Sequence, residues 1–103
     1  FAKWFARLLQ SPAPELRVCG VVCLQRLMAG RYSYRAREAD AVGRLAGDEN
    51  AMVRLFAVQL LGCLGRRAAP FQHKLLGLLG DPHEGVRLAS LVTLGGMQAA
   101  ASP

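Results

Sequence analysis

The stretch that decides the fold is Gly80-Asp81-Pro82-His83-Glu84-Gly85-Val86-Arg87-Leu88-Ala89-Ser90-Leu91-Val92-Thr93-Leu94-Gly95. It opens on a turn with a mechanism, since aspartate accepts hydrogen bonds from the N–H groups that start a helix and proline is tolerated in a helix's first turn. Counted from Arg87, the residues one, four and seven on are Leu88, Leu91 and Leu94. Those offsets mark one face of a helix.

The same pattern occurs twice more. Val53-Arg54 follows the turn Gly47-Asp48-Glu49-Asn50, with Leu55, Val58 and Leu61 at the three apolar offsets. Leu16-Arg17 follows Ser11-Pro12 and Pro14, with Val18, Val21 and Leu24. Small residues, Gly20, Ala57 and Ser90, stand three after each arginine, where a bulky side chain would hold neighbouring helices apart. The arginines are 37 and then 33 residues apart, and the four extra residues are expected in or beside Gly30 to Arg37. A second apolar helix is predicted ahead of each turn: Phe1 to Leu9, roughly Tyr34 to Ala46, and roughly Ala69 to Leu79. Each unit is then helix, tight turn, helix. No window sustains the apolar-polar alternation of a strand.

These residues resemble the HEAT repeats, through Asp81-Pro82 with Val86-Arg87 and the Ala89 to Gly95 run, and through Asp48, Val53-Arg54, Ala57 and Leu60-Leu61-Gly62. The first unit departs from the pattern, with Ser11 in place of the aspartate and Leu16 in place of the valine. The resemblance implies an all-α fold, a right-handed superhelix or solenoid of about three helical hairpins, in one segment with units at about 1–30, 31–65 and 66–103. It also implies a ladder between turn aspartates and helix arginines, which makes Arg17, Asp48, Arg54, Asp81 and Arg87 structural positions. Armadillo repeats, the nearest competitor, add a third short helix that has little room here.

The totals agree with a folded chain. Of 103 residues, 52% are apolar and 19% charged, and no apolar run approaches the roughly 18 residues of a membrane span. Three cysteines cannot all pair with one another, and Cys19 and Cys23, four apart in an apolar helix, are expected as small core residues in an intracellular protein, cytoplasmic or nuclear. Phe1, Trp4, Phe5, Leu8 and Leu9 form one apolar stripe, and Met97 to Pro103 fades into alanines. Neither end carries a polar cap, so the expectation is a segment of a longer helical array.

Parts for a reaction centre are few, and no enzyme, cofactor or small-molecule substrate is indicated. His73 and His83 are the only histidines. His83-Glu84 is similar to the pairs that bind iron in the HEAT-repeat hydroxylase acting on deoxyhypusine, but the matching positions of the other units hold no histidine, and His83 is read as a solvated residue beside a turn. Cys19, Cys23 and Cys63 lack a Cys-x-x-Cys spacing, and the glycines form no phosphate-binding loop. HEAT-like solenoids also include DNA glycosylases, but no acid paired with an aromatic cleft is identifiable.

Charge is the remaining signal. The chain carries +6, and the excess avoids the turns with Asp48 and Asp81. It gathers in Arg31-Tyr32-Ser33-Tyr34-Arg35-Ala36-Arg37 and in Arg66-Arg67, with Lys74 following. Successive connections of a solenoid emerge on one edge, so Arg31, Tyr32, Tyr34, Arg35, Arg37, Arg66, Arg67 and Lys74 are the candidate contacts for a partner or for phosphates. Two readings stand open: a non-catalytic scaffold for other protein subunits, and a nucleic-acid-associated subunit. The second draws on Leu16-Arg17-Val18-Cys19 and Leu24-Gln25-Arg26-Leu27, which look somewhat like the HEAT subunits of condensin.

Overall fold

The computed structural model describes the backbone of residues 7–29, 36–63 and 65–101, and side chains at 7–26, 40–63 and 68–97. Within these residues every regular element is helical, and there is no strand. Residues 7–9 end one helix. Then follow α1 (Pro14–Ala29), α2 (Ala36–Leu45), α3 (Ala51–Cys63), a 3-10 segment (Gly65–Phe71), α4 (Gln72–Leu78) and α5 (Glu84–Ala101).

Helices α1, α3 and α5 each begin three residues before an arginine of the sequence pattern. Pro14 opens α1, where its missing N–H is no loss because the first-turn donors of a helix have no partner within it. Asn50 opens α3, and its Oδ1 accepts from the N–H groups of Met52 (2.9 Å) and Val53 (3.2 Å). By the mechanism read at Asp81, Asp48 can cap α3. The carboxylate of Asp48 instead accepts from the N–H of Asn50 at 2.9 Å, closing the turn ahead of the helix. Asp81 does the same for the N–H of His83, and the hydroxyl of Ser11 for that of Ala13.

These three helices pack in a row, α1 on α3 and α3 on α5. The second row holds α2, which packs on α3, and α4, which packs on α5, with the 3-10 segment touching both rows. The apolar offsets explain the seam. Val21, Leu24, Val58 and Leu61 are fully buried, as are Val42, Val53, Leu60, Leu75 and Val86. The small residues sit where close contact was expected: Ala57 and Ser90 are inaccessible, and a Cβ on Gly20 would stand 2.8 Å from Leu9 Cδ2.

Three features depart from the sequence reading. The helix expected over Ala69 to Leu79 is a 3-10 segment through Phe71 followed by a seven-residue α-helix. Pro70 supplies a reason, since it offers no N–H to an α-helical ladder extended back towards Gly65. Cys19, Cys23 and Cys63 are exposed and outside any disulfide among the described residues, not core residues. In α5 two residues of the predicted inner face are open to solvent, Leu88 at 56% and Leu91 at 59% exposed, while Leu94 is half-buried against the core. Leu88 opens into the space between α3 and α5, while Cys19 and Cys23 of α1 and Leu91 of α5 stay exposed to solvent.

The expected first helix, Phe1 to Leu9, is described only at residues 7–9. The stretch expected to hold the four extra residues, in or beside Gly30 to Arg37, lies largely outside the described residues.

Candidate functional site

Three arginines organise the turn side of the molecule, and each repeats one geometry. Arg17 Nη1 donates to the carbonyls of Ser11 (2.6 Å) and Pro12 (3.1 Å). Arg54 Nη1 donates to those of Asp48 (2.9 Å) and Glu49 (3.1 Å). Arg87 Nη1 donates to those of Asp81 (2.7 Å) and Pro82 (3.1 Å). Each guanidinium therefore holds the carbonyls six and five residues behind it, which α5, α3 and α1 leave pointing away from their own ladders.

The other edge of the guanidinium reaches forward. Arg17 Nη2 meets Asp48 Oδ2 at 3.0 Å, with the exposed Glu49 carboxylate at 3.9 Å. Arg54 grips Asp81 with two donors, Nε to Oδ2 at 2.8 Å and Nη2 to Oδ1 at 3.0 Å, the fork geometry that suits a carboxylate. Asp81 is only 8% exposed. Burial pushes its carboxyl up, but the hydrogen bonds from Arg54 and from the His83 N–H, with the positive charge of Arg54 and His83 nearby, outweigh it and hold the pKa below the usual carboxylate value. Arg87 has no carboxylate partner among the described residues.

Beside the row runs a groove of about 640 Å³ between α3 and α5, lined by Leu55, Gln59, Gly62, Gly85, Leu88, Ala89, Val92, Thr93 and Gly96. Val92 is 73% exposed. No charged side chain lines the groove, and its floor is fixed by Thr93, whose hydroxyl donates to the Val58 carbonyl at 3.3 Å. A second cleft, about 530 Å³, lies on the turn side among Leu9, Ser11, Pro12, Arg17, Arg44, Leu45 and Asp48. There the Nε of Arg17 is buried without a hydrogen-bond partner.

Of the basic candidates, Lys74 is exposed, and its Nζ donates to the Gly43 carbonyl at 2.7 Å, tying α4 to α2. Arg31, Tyr32, Tyr34 and Arg35 lie outside the described residues. Arg37 is placed on α2, and Arg66 and Arg67 on the 3-10 segment, by backbone alone. His73 is exposed. His83 is half-buried, not solvated, with its Nδ1 buried and unpartnered. Among the described residues no three histidine, cysteine or acidic side chains converge as a metal site, and no helix is long and apolar enough to cross a membrane. Sequence reasoning missed the groove. Its signal was present in Leu55, Leu88 and Val92, which had been assigned to the core face or passed over.

No protein-family model matches the chain, and no curated protein sequence matches it.

Proposed function

We propose that the chain is a HEAT-type segment of a right-handed helical superhelix, acting without catalysis as a scaffold that holds another protein. The observation that carries this reading is the uncharged groove between α3 and α5, with Leu55, Leu88, Ala89 and Val92 on its walls. An apolar channel flanked by two helices accepts the apolar face of a third, read as anchors at helical spacing. Phosphates would gain nothing there. The tie from turn to turn through Arg17–Asp48 and Arg54–Asp81 supports the superhelical part of the reading, since it gives successive helix pairs one spacing.

The alternative, a nucleic-acid-associated subunit resembling those of condensin, rests on the net charge of +6 and the arginine clusters. Lys74 weakens that reading, because its ammonium is engaged by Gly43.

The test is a pair of titrations of the full chain, one with a labelled amphipathic helical peptide carrying leucines at i, i+4 and i+7, one with duplex DNA at 50 to 200 mM salt. The scaffold reading expects peptide binding that Val92→Glu weakens about tenfold or more, the scale of one lost buried anchor. DNA binding near physiological salt, with a log-log salt slope that falls by roughly 0.9 for each arginine among 35, 37, 66 and 67 changed to alanine, favours the alternative. No peptide binding at millimolar concentration overturns the groove as the site.

A further inference from the structure

The two arginine-to-aspartate ties have one design, and one of them is incomplete. Arg54 closes a full fork on Asp81, Nε to Oδ2 at 2.8 Å and Nη2 to Oδ1 at 3.0 Å, and that Oδ1 also accepts from the His83 N–H. Arg17 makes half of this. Its Nη2 donates to Asp48 Oδ2 at 3.0 Å, the oxygen that also accepts from the Asn50 N–H, so Asp48 Oδ2 matches Asp81 Oδ1 bond for bond. The second bond is missing: the Nε of Arg17 is buried without a partner in a side chain only 9% exposed, and no donor among the described residues meets Asp48 Oδ1. A buried N–H left unpaired is unfavourable, and the acceptor that would pair it sits one oxygen away.

The missing bond lies beside unfilled space. Arg17 and Asp48 both line the turn-side cleft of about 530 Å³, with Ser11 and Pro12 on the side of the first turn and Ala41 and Arg44 on the side of α2. At the second tie a side chain spans the corresponding helices: Lys74, seven residues ahead of Asp81, donates to the Gly43 carbonyl and joins α4 to α2. The residue seven ahead of Asp48 is Ala41, whose methyl is too short to form such a brace. A small molecule in the cleft does not meet the unpaired donor, which is sealed from solvent. Asp48 does, if its carboxylate turns.

We infer that Arg17 and Asp48 form a clasp poised to close: Asp48 Oδ1 turns onto Arg17 Nε, the fork becomes complete as at Arg54 and Asp81, and the two turns draw together over the cleft. Pairing the buried donor favours closure. Hydration of Arg44 and Glu49, both exposed at the cleft, favours the open form, and Glu49 also pulls on the same Nη2 from 3.9 Å. Opposed terms of this kind leave a minor form at about 0.1–10% of the molecules. Arg17 is anchored to the carbonyls of Ser11 and Pro12, so closure carries the first turn and α1 with it. The α3–α5 groove is braced by the complete fork and keeps its shape. The clasp therefore moves α1 against a fixed groove, and it stands whether or not the groove binds a peptide.

Arginine Nε–H groups give their own signals in nitrogen-15 NMR, and donation to a carboxylate moves the proton downfield. Relaxation dispersion on the full chain reads exchange between two such states on the microsecond-to-millisecond scale. The expected result in the wild type is dispersion at Arg17 Nε, with a second state at the downfield position of Arg54, and a flat profile at Arg54. Ala41→Leu wedges the cleft and is expected to abolish the dispersion, leaving Arg17 at its unpaired shift, while an unchanged Arg54 signal shows the fold intact; Ala41→Met is the second, unbranched wedge. A flat profile at Arg17 in the wild type overturns the clasp without recourse to any variant. Exchange of equal rate and population at Arg17 and Arg54 makes it a global opening and overturns it too, as does dispersion that survives both wedges.

Discussion

Replacing Arg54 by methionine keeps an unbranched apolar stem and removes the fork that holds Asp81. The carboxylate left behind is 8% exposed and retains one donor of three, the His83 N–H at 2.9 Å. Removing one partner of a buried ion pair costs about 3–5 kcal/mol, because the other charge stays desolvated. The carbonyls of Asp48 and Glu49 lose Arg54 Nη1 as well, but Glu49 lies at the surface, where water replaces the donor. Against a typical total of roughly 5–15 kcal/mol for a domain, a loss of this size removes a large share of the stability.

Urea unfolding followed by circular dichroism measures it, with the midpoint falling and the slope unchanged. The pH dependence separates the charge from the packing. In the wild type the folded-state pKa of Asp81 lies below its unfolded value of about 3.9, so its contribution is fully present above that pH and is lost as pH falls through the folded pKa. In Arg54→Met, burial is no longer outweighed by the guanidinium, the folded pKa rises, and the deficit relative to wild type shrinks on acidification. Adding Asp81→Asn, which keeps an acceptor for the His83 N–H without the charge, restores about 2 kcal/mol. A cost below about 1 kcal/mol for Arg54→Met, or a deficit that does not change between pH 7 and pH 3, would refute the reasoning.

Three further outcomes are expected. Gly43→Ala drives a Cβ into the ring of Phe71 and destabilises by about 1–3 kcal/mol in urea unfolding, a loss that Phe71→Leu in the same chain partly restores. Asn50→Ala leaves the N–H groups of Met52 and Val53 uncapped and costs about 1 kcal/mol, while Asn50→Gly costs only a few tenths, both read from the urea midpoint. Under native conditions a small alkylating reagent modifies Cys19, Cys23 and Cys63 without denaturant, as intact-mass spectrometry will show; protection of Cys19 and Cys23 in the isolated chain contradicts the open face of α1.

Much of the helical organisation was legible because it depends on near neighbours in sequence. The turn residues and the arginine after each set where α1, α3 and α5 start, and the apolar residues at offsets four and seven set which side is buried in α1 and α3. The pairing of Arg17 with Asp48 and Arg54 with Asp81 came from a resemblance, not from spacing, since 31 and 27 residues separate the partners. What escaped depends on the surroundings of a residue. Cys19 and Leu91 have the chemistry of core positions, and only the packing around them decides that they face solvent. Asp48 and Asn50 are both good caps, and the three-residue lead of the aspartate over the helix gave the cap to Asn50. The close approach of Gly43 to Phe71 joins α2 to the 3-10 segment and has no local signature. The basic candidates fall largely outside the described side chains.

The four-residue difference between the two arginine-to-aspartate intervals leaves no trace in the length of the contact, which is 3.0 Å in one and 2.8 to 3.0 Å in the other. Chain length and spatial period are thus uncoupled. An insertion between one turn and the next can be absorbed by a longer helix or connection while the arginine keeps its distance to both turns, and each doubling of a flexible connection costs only about 0.6 kcal/mol in closure entropy. Such a chain can differ in length between its turns while each arginine keeps its distance to the next turn's aspartate.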